Sequence, residues 1–297
     1  MNAVKAIIIK GFLHFFALLP LAWARALGRG IGLTYWYFPS STRRVTVRNI
    51  ELAYPQLDSG SQLDLARNSV QATAELATEM GHVWLRPWEY VSSLALEVRG
   101  AEQISNAQQQ GRGVIVMAPH LGNWEMVGLQ LASLGSVVAL YEPPKIAELG
   151  PMIERARQRS GSTLVPTDSR GLVKLLRSVK GGKISGILPD QVPPEINAGL
   201  NVPFMGVPCF TGTLATNMIR RTGALAVFGV AQRVKGGFII HYLSAEAEIY
   251  DEDDLVALAA LNRGVETCVR LCPDQYQWEY KRFRVRPRVG PSIYHGL

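Results

Sequence analysis

The chain has 297 residues, 47% of them hydrophobic and 19% charged, with a net charge of +7. That excludes a disordered polymer and a highly charged nucleic-acid tail, and leaves length enough for one large domain with a substantial core. The basic balance asks for an acidic partner: nucleic acid, an anionic membrane or an acidic carrier protein.

Residues Ala3 to Leu27 are apolar except for scattered polar and basic positions, chiefly Lys5, Lys10, His14 and Arg25, and no acidic residue precedes Glu51. Such a run approaches the roughly 20 residues that cross a bilayer, yet its charges and Pro20 argue against a simple spanning helix. A helix lying in the interface is the other arrangement, in which lysine stems can snorkel toward water, and the sequence leaves spanning and interfacial helices open. Trp23, Tyr35, Trp36 and Tyr37 suit the headgroup level, and Arg25, Arg29, Arg43, Arg44 and Arg48 suit anionic lipids beside them. Two alternatives are a buried core helix and a secretory signal, for which Ala24-Arg25-Ala26 imitates a cleavage site; the basic and aromatic sequence that follows disfavours cleavage. The division predicted is a membrane-associated helical region over residues 1–45 and a single domain over residues 46–297.

Apolar spacing of three and four predicts a helix from Leu63 to Val83, ending before Pro87. A short helix after Gly100 leads to Gly111 and Gly113, and Val114 to Ala118 is a β-branched run that reads as a buried strand. A turn through Pro119 to Gly122 then enters a helix near Asn123, whose side chain can cap it. Further strands are predicted at Val137 to Tyr141, Ser162 to Pro166, Ile184 to Leu188, Leu225 to Val230 and Phe238 to Leu243. Helices are predicted at Ile146 to Arg159, Leu172 to Val179, Leu214 to Arg221 and Leu255 to Leu271. The Pro- and Gly-rich interval after Asp190 reads as an ordered loop near the site. This succession gives an α/β fold: a mostly buried sheet flanked by helices, its strand order open.

The chemistry concentrates in Ala118-Pro119-His120-Leu121-Gly122-Asn123-Trp124-Glu125. A bend between His120 and Glu125 can bring the two side chains together, so that Glu125 orients the imidazole while His120 takes a proton from a hydroxyl. Helix amides near the turn can meet developing negative charge. No serine or cysteine stands beside His120 as an evident nucleophile, which favours direct transfer over a covalent intermediate. From spacing alone, an ordinary capping or packing role for both residues remains the alternative. Arg157 offers a fork to a phosphate or carboxylate, or else lies on a solvated helix face. Asp190, at the end of an apolar strand, either organises Arg157 or the catalytic loop, or caps a turn.

These blocks resemble the bacterial lipid A biosynthesis acyltransferases, the lauroyl/myristoyl transferase family. His120 to Glu125 looks like the family's His-x4-Glu block, and Arg157-Gln158-Arg159-Ser160-Gly161 like its arginine block, with Arg157 the matched position and Arg159 a close competitor. Ile187-Leu188-Pro189-Asp190-Gln191 and Val202-Pro203-Phe204-Met205-Gly206 are similar to its Asp-Gln and Pro-Phe-x-Gly blocks. Pro273 to Phe283 resembles its terminal signature, with Asp274 where the family often has Glu. The resemblance implies transfer from acyl-acyl carrier protein to a hydroxyl of a membrane glycolipid, a lipid A precursor, at the cytoplasmic face of the inner membrane. It implies His120 and Glu125 as the catalytic pair, with Arg157, Arg159, Asp190 and Asn123 binding substrate or supporting them, and neither cofactor nor metal. Other readings are the same chemistry on another membrane lipid, a noncatalytic lipid-binding or assembly protein, and a hydrolase.

The remaining features read as structural. Cys209, Cys268 and Cys272 cannot all pair within one chain and form no disulfide framework, so a reducing compartment and structural thiols are expected. Asp251 to Asp254 is a solvated helix start rather than a calcium loop. The basic cluster Lys281, Arg282, Arg284, Arg286 and Arg288 attracts anionic lipids or an acidic carrier, or is a strand with a solvated face. No nucleic-acid fold motif accompanies it, and the sequence assigns no oligomeric state.

Overall fold

The computed structural model describes residues 2–285 and 293–296. An N-terminal layer of helices comes first: α1 (Asn2–Leu18), α2 (Leu21–Trp36), α3 (Ser41–Ala53) and the long α4 (Ser59–Leu85). There follow α5 (Trp88–Ser93), β1 (Ala95–Arg99), α6 (Ala101–Gln109), β2 (Val114–Met117), α7 (Trp124–Leu131), β3 (Val138–Tyr141), α8 (Gly150–Gln158), β4 (Thr163–Pro166), α9 (Ser169–Lys180) and β5 (Ile184–Ile187). The chain continues through β6 (Gly199–Phe204), β7 (Val207–Gly212), α10 (Leu214–Thr222), β8 (Leu225–Val234), β9 (Gly237–Ser244) and α11 (Asp254–Leu271).

The main sheet has the order β1-β9-β8-β2-β5. Strand β2 runs parallel to both β5 and β8, while β8 and β9 form an antiparallel hairpin. Its central strand explains the predicted pattern: every residue of β2 is fully buried, Ile115 and Met117 in one core layer, Val114 and Val116 in the other. Because both faces are covered, the strand is a continuous apolar run rather than an alternating one. All six predicted strands form, and β8 extends four residues further than expected.

Several elements escaped the pattern. Strand β1 is mostly exposed and carries Glu97 and Arg99, so only its pairing with β9 makes it a strand. The interval after Asp190 holds the β6–β7 hairpin, whose prolines Pro203 and Pro208 sit in a separate two-stranded ladder away from the main sheet. Met205 and Gly206 at its tip have φ of 51° and 72°, the paired positive values of a primed turn. Helix α3 starts at a Ser40 cap and runs across the 45/46 boundary.

The N-terminal apolar run is broken at Pro20 into α1 and α2, and among the described residues no helix is long and apolar enough to cross a membrane. Both helices lie against α4. Contact is close enough that a Cβ at Gly28 would stand 2.6 Å from the Thr78 hydroxyl. The opposite faces stay open: Ile7, Ile8, Leu18, Trp23, Leu27 and Ile31 are all exposed.

Candidate active site

In-register parallel strands decide which loops meet. Met117 of β2 pairs with Ile187 of β5, so the third residue beyond each strand, His120 and Asp190, emerges at the same edge. Asp190 is buried and grips His120 twice: one carboxylate oxygen is 2.8 Å from Nδ1 and the other accepts from the His120 peptide N–H at 2.9 Å. A carboxylate can only accept, so Nδ1 carries the proton and Nε2 presents its lone pair. Gln191 Nε2 lies 3.1 Å from that Nε2, and the imidazole keeps 13% of its side-chain surface exposed. Burial by itself disfavours the imidazolium, but the charge and hydrogen bonds of Asp190, aided by Glu279 and Glu125, outweigh it and raise the His120 pKa above 6.5.

Asp190, and not Glu125, therefore orients the ring. Glu125 sits in the first turn of α7 and accepts from Arg157 Nε at 3.0 Å, from Arg157 Nη2, and from Trp84 Nε1 at 3.2 Å. The five-residue spacing explains the outcome: the helix that begins at Trp124 turns Glu125 toward the end of α8, where Arg157 stands. Trp124, between His120 and Glu125 in sequence, packs on the His120 ring with centroids 4.9 Å apart. Asp190 organises the His120 loop directly, and its hydrogen bonds go to His120 rather than to Arg157.

The turn itself is fixed from behind. Gly122 has φ of 58°, and a Cβ there would lie 2.1 Å from the Ala231 carbonyl, so only glycine fits. Asn123 caps α7, accepting from the Met126 N–H, while its own N–H donates to Ala231. The peptide N–H groups of Leu121 and Gly122 are also spent, on Pro119 and Gln275. With His120 N–H bound to Asp190, the amides from His120 to Asn123 all serve the fold.

Beside this turn lies an apolar cavity of about 980 Å³, its open mouth included. Trp124, Glu125 and Arg157 stand among its lining residues, and Val116, Val127, Leu129, Leu131, Leu164 and Met218 form much of its wall. An open cavity with this lining suits an apolar ligand with a few polar groups fixing one end.

The sequence profile described as bacterial lipid A biosynthesis acyltransferase matches residues 3–285.

This chain belongs to that family.

The lipid A biosynthesis lauroyltransferase of Escherichia coli (strain K12) is 26% identical over 288 residues, covering 96% of this chain and 92% of that protein. The lipid A biosynthesis palmitoleoyltransferase of the same organism is 26% identical over 287 residues, with the same coverage. A lipid A biosynthesis acyltransferase of Haemophilus influenzae is 22% identical over 288 residues, covering 95% of this chain and 88% of that protein. The protein is thus an acyltransferase.

Other predicted residues of this acyltransferase separate into site and scaffold. Arg159, the competitor of Arg157, donates to the main-chain carbonyls of Val83 and Arg86 at the end of α4. It caps a helix, while Arg157 faces the cavity. All three cysteines are buried, and burial pushes the Cys272 thiol up to about 12, far from a nucleophile at neutral pH. Asp253 caps α11 by accepting from Leu255 N–H, as a helix start should. Arg282 is buried, donating to Phe210 and Thr211, so it is no part of a basic surface; Arg286 and Arg288 lie outside the described residues. Among the described residues no group of three or more His, Cys, Asp or Glu is arranged to hold a metal ion. Sequence reasoning gave no role to Trp84 or Gln191. Only the neighbour of Asp190 carried any signal, through the Asp-Gln block.

Proposed function

We propose that this protein transfers a fatty acyl chain from acyl-acyl carrier protein to a hydroxyl of a lipid A precursor, with His120 as general base and no covalent acyl-enzyme. The observation that carries this reading is the buried Asp190–His120 pair beside an apolar cavity whose wall includes residues on both sides of that histidine. The acceptor hydroxyl replaces Gln191 at Nε2, and the imidazole takes its proton as the oxygen attacks the thioester carbonyl. The new C–O bond forms, the C–S bond breaks, and the imidazolium returns its proton to the departing thiolate. Asp190 stabilises the imidazolium between those events, as the carboxylate does in a Ser-His-Asp triad.

Arg157, held by Glu125 in the cavity wall, supplies positive charge for the developing oxyanion or for an acceptor phosphate. Glu125 thereby acts on the reaction through Arg157, and its charge also favours the imidazolium. The acyl chain leaves water in the cavity, where each buried methylene contributes about 0.8 kcal/mol. No resident cofactor takes part in this scheme. The exposed apolar faces of α1 and α2 rest in the interface of the inner membrane at its cytoplasmic face.

The deciding experiment incubates purified protein with a panel of acyl-carrier thioesters and lipid acceptors and identifies products by mass spectrometry. Acylated disaccharide lipid is the expected product. Acylation of some other membrane lipid alone would reassign the acceptor, and free fatty acid alone would make the protein a thioester hydrolase.

A further inference from the structure

Behind the catalytic turn a single carboxylate collects more donors than neutralisation requires. Glu79 of α4 has no exposed side-chain surface. It accepts from Arg25 Nε of α2 at 2.6 Å and from Arg233 of β8 at 2.6 and 3.0 Å. The fourth donor is Asn123 Nδ2 at 3.0 Å, three residues beyond His120. One guanidinium would balance the charge; the second arrives from the N-terminal helical layer. Arg25 spends its other nitrogens on the carbonyls of Val234 and Gly237, at the tip of the β8–β9 hairpin. The same helix α2 exposes Trp23, Leu27 and Ile31 on its open side.

We infer that Glu79 is a positioning residue that ties the seating of α2 to the geometry of the His120 turn. The path is short and each link is a hydrogen bond. Glu79 fixes the Asn123 amide group, which leaves Asn123 Oδ1 to cap Met126 and hold the start of α7. The turn between that cap and the end of β2 carries His120, whose peptide N–H must stay opposite Asp190 for the ring to keep its tautomer. If α2 lifts, Arg25 leaves and Glu79 is drawn toward Arg233 and away from Asn123. The neighbouring cations do not substitute for Arg25, since Arg29 is paired with Glu75 at 2.6 Å and Arg233 already serves Glu79 at 2.6 Å and Glu75 at 3.5 Å. A purely structural ion cluster would stabilise the fold without altering the base, and that difference is measurable. The inference rests on the reading of His120 as the catalytic base.

The test compares full-length wild type, Glu79→Asp and Arg25→Gln in anionic phospholipid vesicles, with dodecanoyl-acyl carrier protein and a tetraacylated disaccharide lipid as substrates. Glu79→Asp keeps the charge but is one methylene too short to reach Arg25 and Asn123 together. Its kcat per folded molecule should fall roughly 10- to 100-fold with KM within about twofold, and Arg25→Gln should fall roughly 3- to 10-fold. In both, the midpoint of the rise of kcat with pH should move down toward 6.5, as His120 loosens from Asp190. Folded variants with wild-type kcat and an unmoved midpoint, or losses that track only the unfolded fraction, would overturn the proposal. Should Glu79→Asp fail to fold, Arg25→Gln and Asn123→Ser decide it. NMR titration of His120 in histidine-labelled protein reads the same midpoint without turnover. Wild type that transfers no acyl group would sink the functional reading, whereas a His120 midpoint that ignores the Arg25 and Glu79 substitutions would sink this one.

Discussion

Asp190→Asn isolates the orienting carboxylate from everything else in the site. Its two oxygens accept from the two His120 donors, Nδ1–H and the peptide N–H, at 2.8 and 2.9 Å. Asparagine has one acceptor oxygen, so its amide must face one of those donors. If it faces the ring, Nδ1 becomes the acceptor and the proton moves to Nε2, which blocks the base. If it faces the backbone, the turn must shift. A hydrogen bond to a charged group contributes about 1.5–3 kcal/mol, and losing one together with the productive tautomer removes roughly 2–4 kcal/mol, a 30- to 1,000-fold fall in kcat. The pH response has a definite sign. Removing the Asp190 charge lowers the His120 pKa, so the midpoint of the rising limb moves to lower pH while the plateau collapses. Acyl transfer would be followed by mass spectrometry across pH and normalised to folded enzyme. A plateau within about threefold of wild type and an unchanged midpoint would refute the reasoning.

Glu125→Gln should also cost activity, but its pH midpoint should move far less than that of Asp190→Asn, because Glu125 faces Arg157 and Trp84 rather than Nδ1. Thermal unfolding should report a loss of about 1–3 kcal/mol from the Arg157 pair, whose arginine is one-third exposed and so partly screened. A Cβ added at Gly128, which lines the cavity, meets nothing within 4 Å, so Gly128→Leu should fill part of that space and shift the product toward shorter acyl chains. Two methylenes excluded correspond to about 1.6 kcal/mol, roughly 15-fold in a mixed-donor competition. For the buried dyad the two pKa shifts bracket a window of stability. The raised His120 contributes fully below 6.5 and is lost as pH rises through its folded value; the depressed Asp190 contributes above 3.8 and is lost as pH falls through its own. Denaturant titrations should show that contribution between those limits and missing in Asp190→Asn. The triple substitution Trp23→Asp, Leu27→Asp and Ile31→Asp should reduce partition into anionic vesicles at least about tenfold, read by sedimentation, since each exposed apolar side chain can contribute about 1.5–3 kcal/mol on burial.

Local pattern was enough for what depends on neighbours in the chain. The β-branched run at Val114 announces a buried strand because both faces of β2 are covered, and Asn123 announces a helix start because an N-cap needs only its own next three residues. The ordered blocks around His120, Arg157 and Asp190 announced the family. The Pro- and Gly-rich stretch after Asp190 hid a hairpin, since its two prolines are tolerated only where the ladder stands apart from the main sheet.

Partnership was the part that lay beyond the one-dimensional pattern. Sequence distance favoured Glu125 as the acid for His120, five residues away; register chose Asp190, seventy residues away, because parallel strands in step deliver equal numbers of residues to the same edge. The same holds for Arg157 over Arg159, separated only by which way α8 turns each guanidinium. It holds again for Arg25, Glu79, Asn123 and Arg233, gathered from four elements around one buried carboxylate. Residue types and periodicity determine which groups can act and what element carries each. Long-range packing alone brings a donor and an acceptor within 3 Å, and a buried charge forces that choice because it has no water to fall back on.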